Sequence, residues 1–97
     1  MNFEYDLVLM IYVVIHIMDK EKLARAMGHV RQCLSAGGRF LIGPLAGKSE
    51  RKFFYLRSWS VDDIREQFPG YLFGEPVPFQ EGYALVIRKP SATDEHR

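Results

Sequence analysis

The feature that most constrains this chain is the run Tyr5–Ile17, YDLVLMIYVVIHI, an almost unbroken apolar stretch rich in β-branched and aromatic residues. Such a run fits a strand buried on both faces, the kind found within a parallel sheet. Strands of that kind have neighbours on either side, yet only Met1–Glu4 stands before this one in the sequence. The expectation is therefore the second half of a larger α/β sheet. At about 13 residues the run is too short to span a bilayer as a helix. It also lacks the basic leader and small-residue cleavage site of a secretory signal. A soluble, cytoplasmic chain is expected, with no membrane partner.

Ninety-seven residues support one domain with one core. Apolar residues at 47% and aromatics at 13% point to a folded chain. The net charge of +1, with acids and bases interspersed, gives no case for nucleic acid as a partner. The single cysteine, Cys33, excludes an intramolecular disulfide and a cysteine-based metal site, consistent with a reducing compartment.

Asp19 reads as an N-cap, with a helix from about Lys20 to Leu34. Leu23, Met27, Val30 and Leu34 form its apolar stripe, and Lys20, Glu21, Arg25, His29 and Gln32 fall largely off it. Gly37 and Gly38 are expected to stop the helix. Arg39–Gly43 reads as a second buried strand, completing a βαβ unit with a right-handed crossover. Between Pro44 and Arg57 the sequence is irregular and basic, with Phe53, Phe54, Tyr55 and Leu56 needing cover. Ser60 and Asp63 resemble a capping box ahead of a short helix, Val61–Phe68, with Val61, Ile64 and Phe68 facing inward.

Tyr71–Phe79 and Tyr83–Lys89 read as a hairpin closed by Gln80-Glu81-Gly82. Pro76 and Pro78 lack N–H groups on one side of their strand, which places it at an outer edge. The expected architecture is a mixed sheet of about four strands, two parallel plus the hairpin, with two main helices. Residues 1–90 form the single domain, and 91–97 a flexible polar tail. Prolines blunt the late edge of this sheet, whereas the first strand carries no such protection.

The order of these segments resembles the middle and end of class I S-adenosylmethionine-dependent methyltransferases. Tyr5-Asp6-Leu7-Val8 matches the start of a family strand that ends in a Leu-His-His-like segment, where His16 matches the last histidine. Leu34, Gly37 and Gly38 match the family's turn, with Ser35-Ala36 in place of Lys-Pro, and Arg39–Ile42 matches the next strand. YLRSWSVDDIREQF and YALVIRKP are similar to the closing helix and final strand. The resemblance runs from about Phe3 to Pro90 and implies a partial Rossmann-like fold. The family binds its cofactor over a Gly-rich turn after the first strand, with an acidic residue at the end of the second. No GxGxG occurs in this sequence. The resemblance thus implies a residual wall, Met10, Ile11 and Tyr12, near the methionine portion of the cofactor, with no cofactor held by the isolated chain.

Among candidate groups, His16 would stand at the rim of that wall as a substrate-side residue, beside Arg57 on the loop. A rim histidine also fits a plain strand end. Lys48, Arg51, Lys52 and Arg57 read as a solvated loop. Asp62, Asp63 and Glu66 suit the first turns of a helix, where they complement its dipole. No catalytic residue emerges, and three scattered histidines make no metal site.

Two functions follow as expectations. In the first, a truncated methyltransferase-like domain, inactive alone, assembles as a homodimer through its first strand, with Leu7, Leu9, Ile11, Val13 and Ile15 at the interface. In the second, the chain is one subunit of a split methyltransferase, and a complementary N-terminal half chain supplies the site for S-adenosylmethionine. A decayed remnant is a third reading, opposed by the agreement of caps, turns and alternating faces.

Overall fold

The computed structural model describes residues 4–46, 51–52, 57–80 and 82–91, with 51–52 and 57–58 described by backbone alone. Strand β1 (Tyr5–Ile11) leads through a single 3-10 turn at Val14–His16 to helix α1 (Lys20–Cys33) and strand β2 (Leu34–Leu45). Short strands β3 (Arg51–Lys52) and β4 (Arg57–Ser58) pair with each other, and helix α2 (Val61–Arg65) follows. Strands β5 (Leu72–Phe73), β6 (Val77–Phe79) and β7 (Gly82–Arg88) complete the fold.

The chain is α/β, with a mixed five-stranded sheet ordered β1-β2-β7-β5 and β6 also on β7. The β1–β2 pair is parallel, and β7 runs antiparallel to β2, β5 and β6. This arrangement is consistent with a partial Rossmann-like fold. The strand expected over Tyr71–Phe79 divides into β5 and β6, because Gly74 and Pro76 interrupt its ladder against β7. Gly74 keeps one bond, its N–H donating to the Val86 carbonyl at 2.9 Å. The proline-bearing strand is outermost, as the missing donors require.

The helices form because their patterns are complete. The Asp19 carboxylate accepts from the Lys22 N–H at 2.8 Å and starts α1. Leu23, Met27 and Val30 then turn inward, with Leu34 just beyond the helix, and all four are buried. In α2 the Ser60 hydroxyl accepts from the Asp63 N–H at 3.1 Å, and the Asp63 carboxylate accepts from the Ser60 N–H at 3.0 Å. That is a reciprocal capping box. Val61, Ile64 and Phe68 are buried beneath it.

These residues meet Phe40, Ile42, Leu85 and Ile87 from one face of the sheet, with Val14 and Trp59, in a single core. Each large side chain buried there contributes about 1.5–3 kcal/mol. Among the described residues the core thus lies on the helical side of the sheet.

Two expectations change. First, β1 ends at Ile11 instead of running on to Ile17. Tyr12 adopts a left-handed conformation (φ 63°), and the chain turns away into the 3-10 turn. Val13 and Ile15, expected on the strand, therefore leave it; Ile15 packs against the core. Nor is β1 buried on both faces, since Leu7 and Leu9 are 57% and 59% exposed.

Second, α1 does not end on its glycines. Leu34 is already extended (φ −85°, ψ 125°), and Gly37 takes up the left-handed turn (φ 78°) three residues later. The Lys89 ammonium replaces a glycine cap, donating to the Arg31 and Leu34 carbonyls at 3.2 and 3.0 Å. Residues 47–50, Phe53–Leu56 and the tail 92–97 lie outside the described residues.

Candidate functional site

In open α/β sheets the chemistry collects at the carboxyl ends of the parallel strands. Here that end is the last β1–β2 pair, Ile11 opposite Gly43. The next residue, Tyr12, is held by its N–H, which donates to the Gly43 carbonyl at 2.9 Å. Its ring leans on Phe79, with centroids 5.8 Å apart and planes tilted by 50°. A non-glycine residue in this conformation costs about 1–2 kcal/mol. Gln80, beside Phe79, is also left-handed (φ 56°). Two strained backbones flanking one aromatic contact form a fixed corner, and strain of this kind clusters at functional sites.

The sequence-derived wall is divided by the pleat of β1. Met10 shares its face with Val8, and both pack against the buried core. Ile11 points to the opposite face, half-buried, and Tyr12 is 45% exposed. Of that wall, Ile11 and Tyr12 are the two residues that do not turn into the core. His16 closes the 3-10 turn, its N–H donating to the Val13 carbonyl at 3.0 Å, and it is exposed at the same end. Arg57 lies on β4, whose backbone packs beside the 3-10 turn that carries His16, and its side chain is outside the described residues.

The second surface is β1 itself. Among the described residues it pairs only with β2. The Tyr12 N–H points toward β2, so by alternation those of Met10 and Val8 do also. The N–H and C=O groups of Leu7, Leu9 and Ile11 therefore project from the outer edge. Their side chains occupy the sheet face opposite the helices. Leu9 lies beside Leu41, and Leu41 lies beside Val86, in one row across three strands. Leu72 and Val77 extend this face on β5 and β6, paired with Arg88 and Ala84. Of the expected interface residues, the structure brings Leu7, Leu9 and Ile11 together on β1 and separates Val13 and Ile15 from them.

Several residues that hold these surfaces gave no sequence signal. The Trp59 indole N–H donates to the Ile17 carbonyl at 2.9 Å and fastens the segment before α2 beneath the turn that follows β1. The Ser35 hydroxyl stands within reach of the Asp6 carboxylate at 2.6 Å and the Tyr5 carbonyl at 3.1 Å and donates to them. These partners are 42, 29 and 30 residues apart, so no local spacing announces them. A buried indole does, however, call for an acceptor.

Burial pushes the Tyr71 phenol above its ordinary pKa, opposed by the nearby Arg31 charge. Among the described residues no group of three His, Cys, Asp or Glu side chains is placed to hold a metal ion. No helix among them is long and apolar enough to cross a membrane. Comparison with known proteins gives no match, either to a family model or to a curated sequence.

Proposed function

We propose that this chain is a methyltransferase-like half domain that works by association, with β1 pairing antiparallel to the same strand of a second copy. The observation that carries this reading is the outer edge of β1. Three consecutive outward positions, Leu7, Leu9 and Ile11, present backbone donors and acceptors with apolar side chains. Such an edge is a template for another strand. Antiparallel pairing of identical strands closes on a two-fold axis, the commonest symmetry of soluble assemblies.

The methyltransferase-like part rests on the motif order from Tyr5 to Pro90, together with the parallel pair, crossover helix and closing hairpin. With no Gly-rich turn in its sequence, the single chain keeps one wall of a cofactor site and transfers no methyl group alone. Fold likeness by itself would not argue activity. Calorimetric titration with S-adenosylmethionine should accordingly give no heat of binding; saturable binding to the chain alone would contradict this reading.

The strained corner at Tyr12 favours a second reading. If a separate chain supplied the Gly-rich turn and a ribose-binding carboxylate, Ile11, Tyr12 and His16 would flank the resulting site. Transfer would then depend on positioning of donor and acceptor. Strong self-association counts against this reading, because both partners would use the same edge of β1.

Amide exchange distinguishes an occupied edge from an open one. The amides of Leu7, Leu9 and Ile11 should exchange more slowly as the protein concentration rises, while the ladder amides of Val8 and Met10 stay protected throughout. Fast exchange at the three outward amides, independent of concentration, would rule out self-pairing.

A further inference from the structure

Pairing β1 with β1 satisfies the strand edge but does not cover the open face. The two-fold axis of an antiparallel pair stands normal to the sheet, so both helical layers fall on one side. Both open faces then fall on the other side and merge. Two five-stranded sheets become one wide sheet, helical above and, among the described residues, open below. Leu7 and Leu9 of each copy meet at its centre, where identical strands cross.

We infer that a second pair stacks on this merged face, sheet against sheet, so that the chain assembles as a tetramer of dihedral symmetry. This rests on the edge pairing proposed above and adds a second interface, centred on the Leu9–Leu41–Val86 row. The magnitudes favour it. In each copy Leu7, Leu9, Leu72, Val77 and Val86 are 37–59% exposed on this one face. That approaches the largest apolar patch usual on a lone soluble chain, roughly 300–600 Å². Doubled by edge pairing, it is on the order of the roughly 800 Å² per partner of a stable interface.

The chemistry is self-complementary. The central row carries no charge, and Leu and Val side chains interdigitate well between sheets stacked about 10 Å apart. Arg39 and Arg88 pair across β2 and β7 at one end of the face, where they supply a polar rim. A net charge of +1 per copy opposes stacking only weakly. Dihedral closure also uses both surfaces in every copy, leaving neither the edge nor the face bare.

The test is solution mass by light scattering on a sizing column, for the wild type, Leu9→Pro and Val86→Lys, with circular dichroism to confirm folding. Proline at position 9 removes only an outward N–H, so it breaks the edge and spares the β1–β2 ladder. Lysine at position 86 charges the face and leaves the edge intact; Leu41→Lys repeats that test on the neighbouring strand should Val86→Lys fail to fold. The inference expects four copies for the wild type, two for Val86→Lys, and one for Leu9→Pro, because a single copy's face falls short of a stable interface once the edge is broken. A wild type of two copies that Leu9→Pro reduces to one, with Val86→Lys still at two, overturns the stack and upholds edge pairing. A wild type of two copies reduced to one by Val86→Lys but not by Leu9→Pro overturns the edge reading and the tetramer with it. A wild type of one copy overturns both.

Discussion

Single residues set where β1 ends and how the surrounding segments are fastened. Tyr12 spends about 1–2 kcal/mol of backbone strain to leave the strand, offset in part by its N–H bond to Gly43 and its contact with Phe79. Lys89 is the clearest case of one side chain serving two elements, since it caps α1 from the end of β7. Hydrogen bonds from a charged donor contribute about 1.5–3 kcal/mol, so Lys89→Met should lower the unfolding free energy by about that amount in a urea titration. An unchanged midpoint would show that the cap carries no net stability. Tyr71 makes a pH prediction. Its phenol is raised by burial in the folded chain, whereas the unfolded phenol titrates near 10. The folded state then holds the proton longer, so stability is complete below about pH 10 and declines as pH rises through the folded value. Tyr71→Phe should flatten that alkaline decline in melting temperature; an identical decline in the variant would assign it to other groups.

At the scale of elements, the two outer strands of the sheet have opposite designs. β6 carries Pro78 and follows Pro76, so both positions lack an N–H for an outer neighbour, whereas β1 carries no proline. Proline scanning along β1 reads out its pleat directly. Leu9→Pro should leave the chain folded and weaken only its self-association, because its N–H faces outward. Met10→Pro should lower the melting temperature sharply, because it strands a β2 carbonyl at a cost of about 1–3 kcal/mol. The reverse order of effects would mean that the strand presents the other edge.

Elements with complete local patterns were legible in the sequence. The Leu23–Met27–Val30–Leu34 stripe and the Ser60–Asp63 capping box each lie within one segment, and both stand where the spacing placed them. The hairpin was legible because Pro76 and Pro78 fix which strand is outermost. The end of β1 was not, because apolar character continues unbroken to Ile17 while the backbone reverses at Tyr12. Val14 and Ile15 are apolar because the turn packs on the core, and sequence alone cannot tell that from strand burial. The candidate site was legible only as a neighbourhood. The pleat of β1 turns Met10 away from Tyr12, and the Trp59 and Ser35 contacts join residues far apart in the chain.

For the whole molecule, the governing fact is that, among the described residues, the core lies on one side of the sheet. Phe40, Ile42, Leu85 and Ile87 are fully buried beneath the helices, while Leu9, Leu41 and Val86 form a row on the other face. A two-layer fold of this size keeps few such residues exposed unless something covers them. The proposed association through β1 would occupy the edge, and the proposed stacking would cover the face. Both act by removing apolar surface from water, so both should strengthen with salts that favour burial and weaken on cooling. The measurement that tests the central claim most directly is the solution mass of the purified wild-type chain by light scattering, across a range of concentrations. The account predicts an even multiple of the 11.3 kDa chain; a stable 11.3 kDa species at every concentration would contradict it.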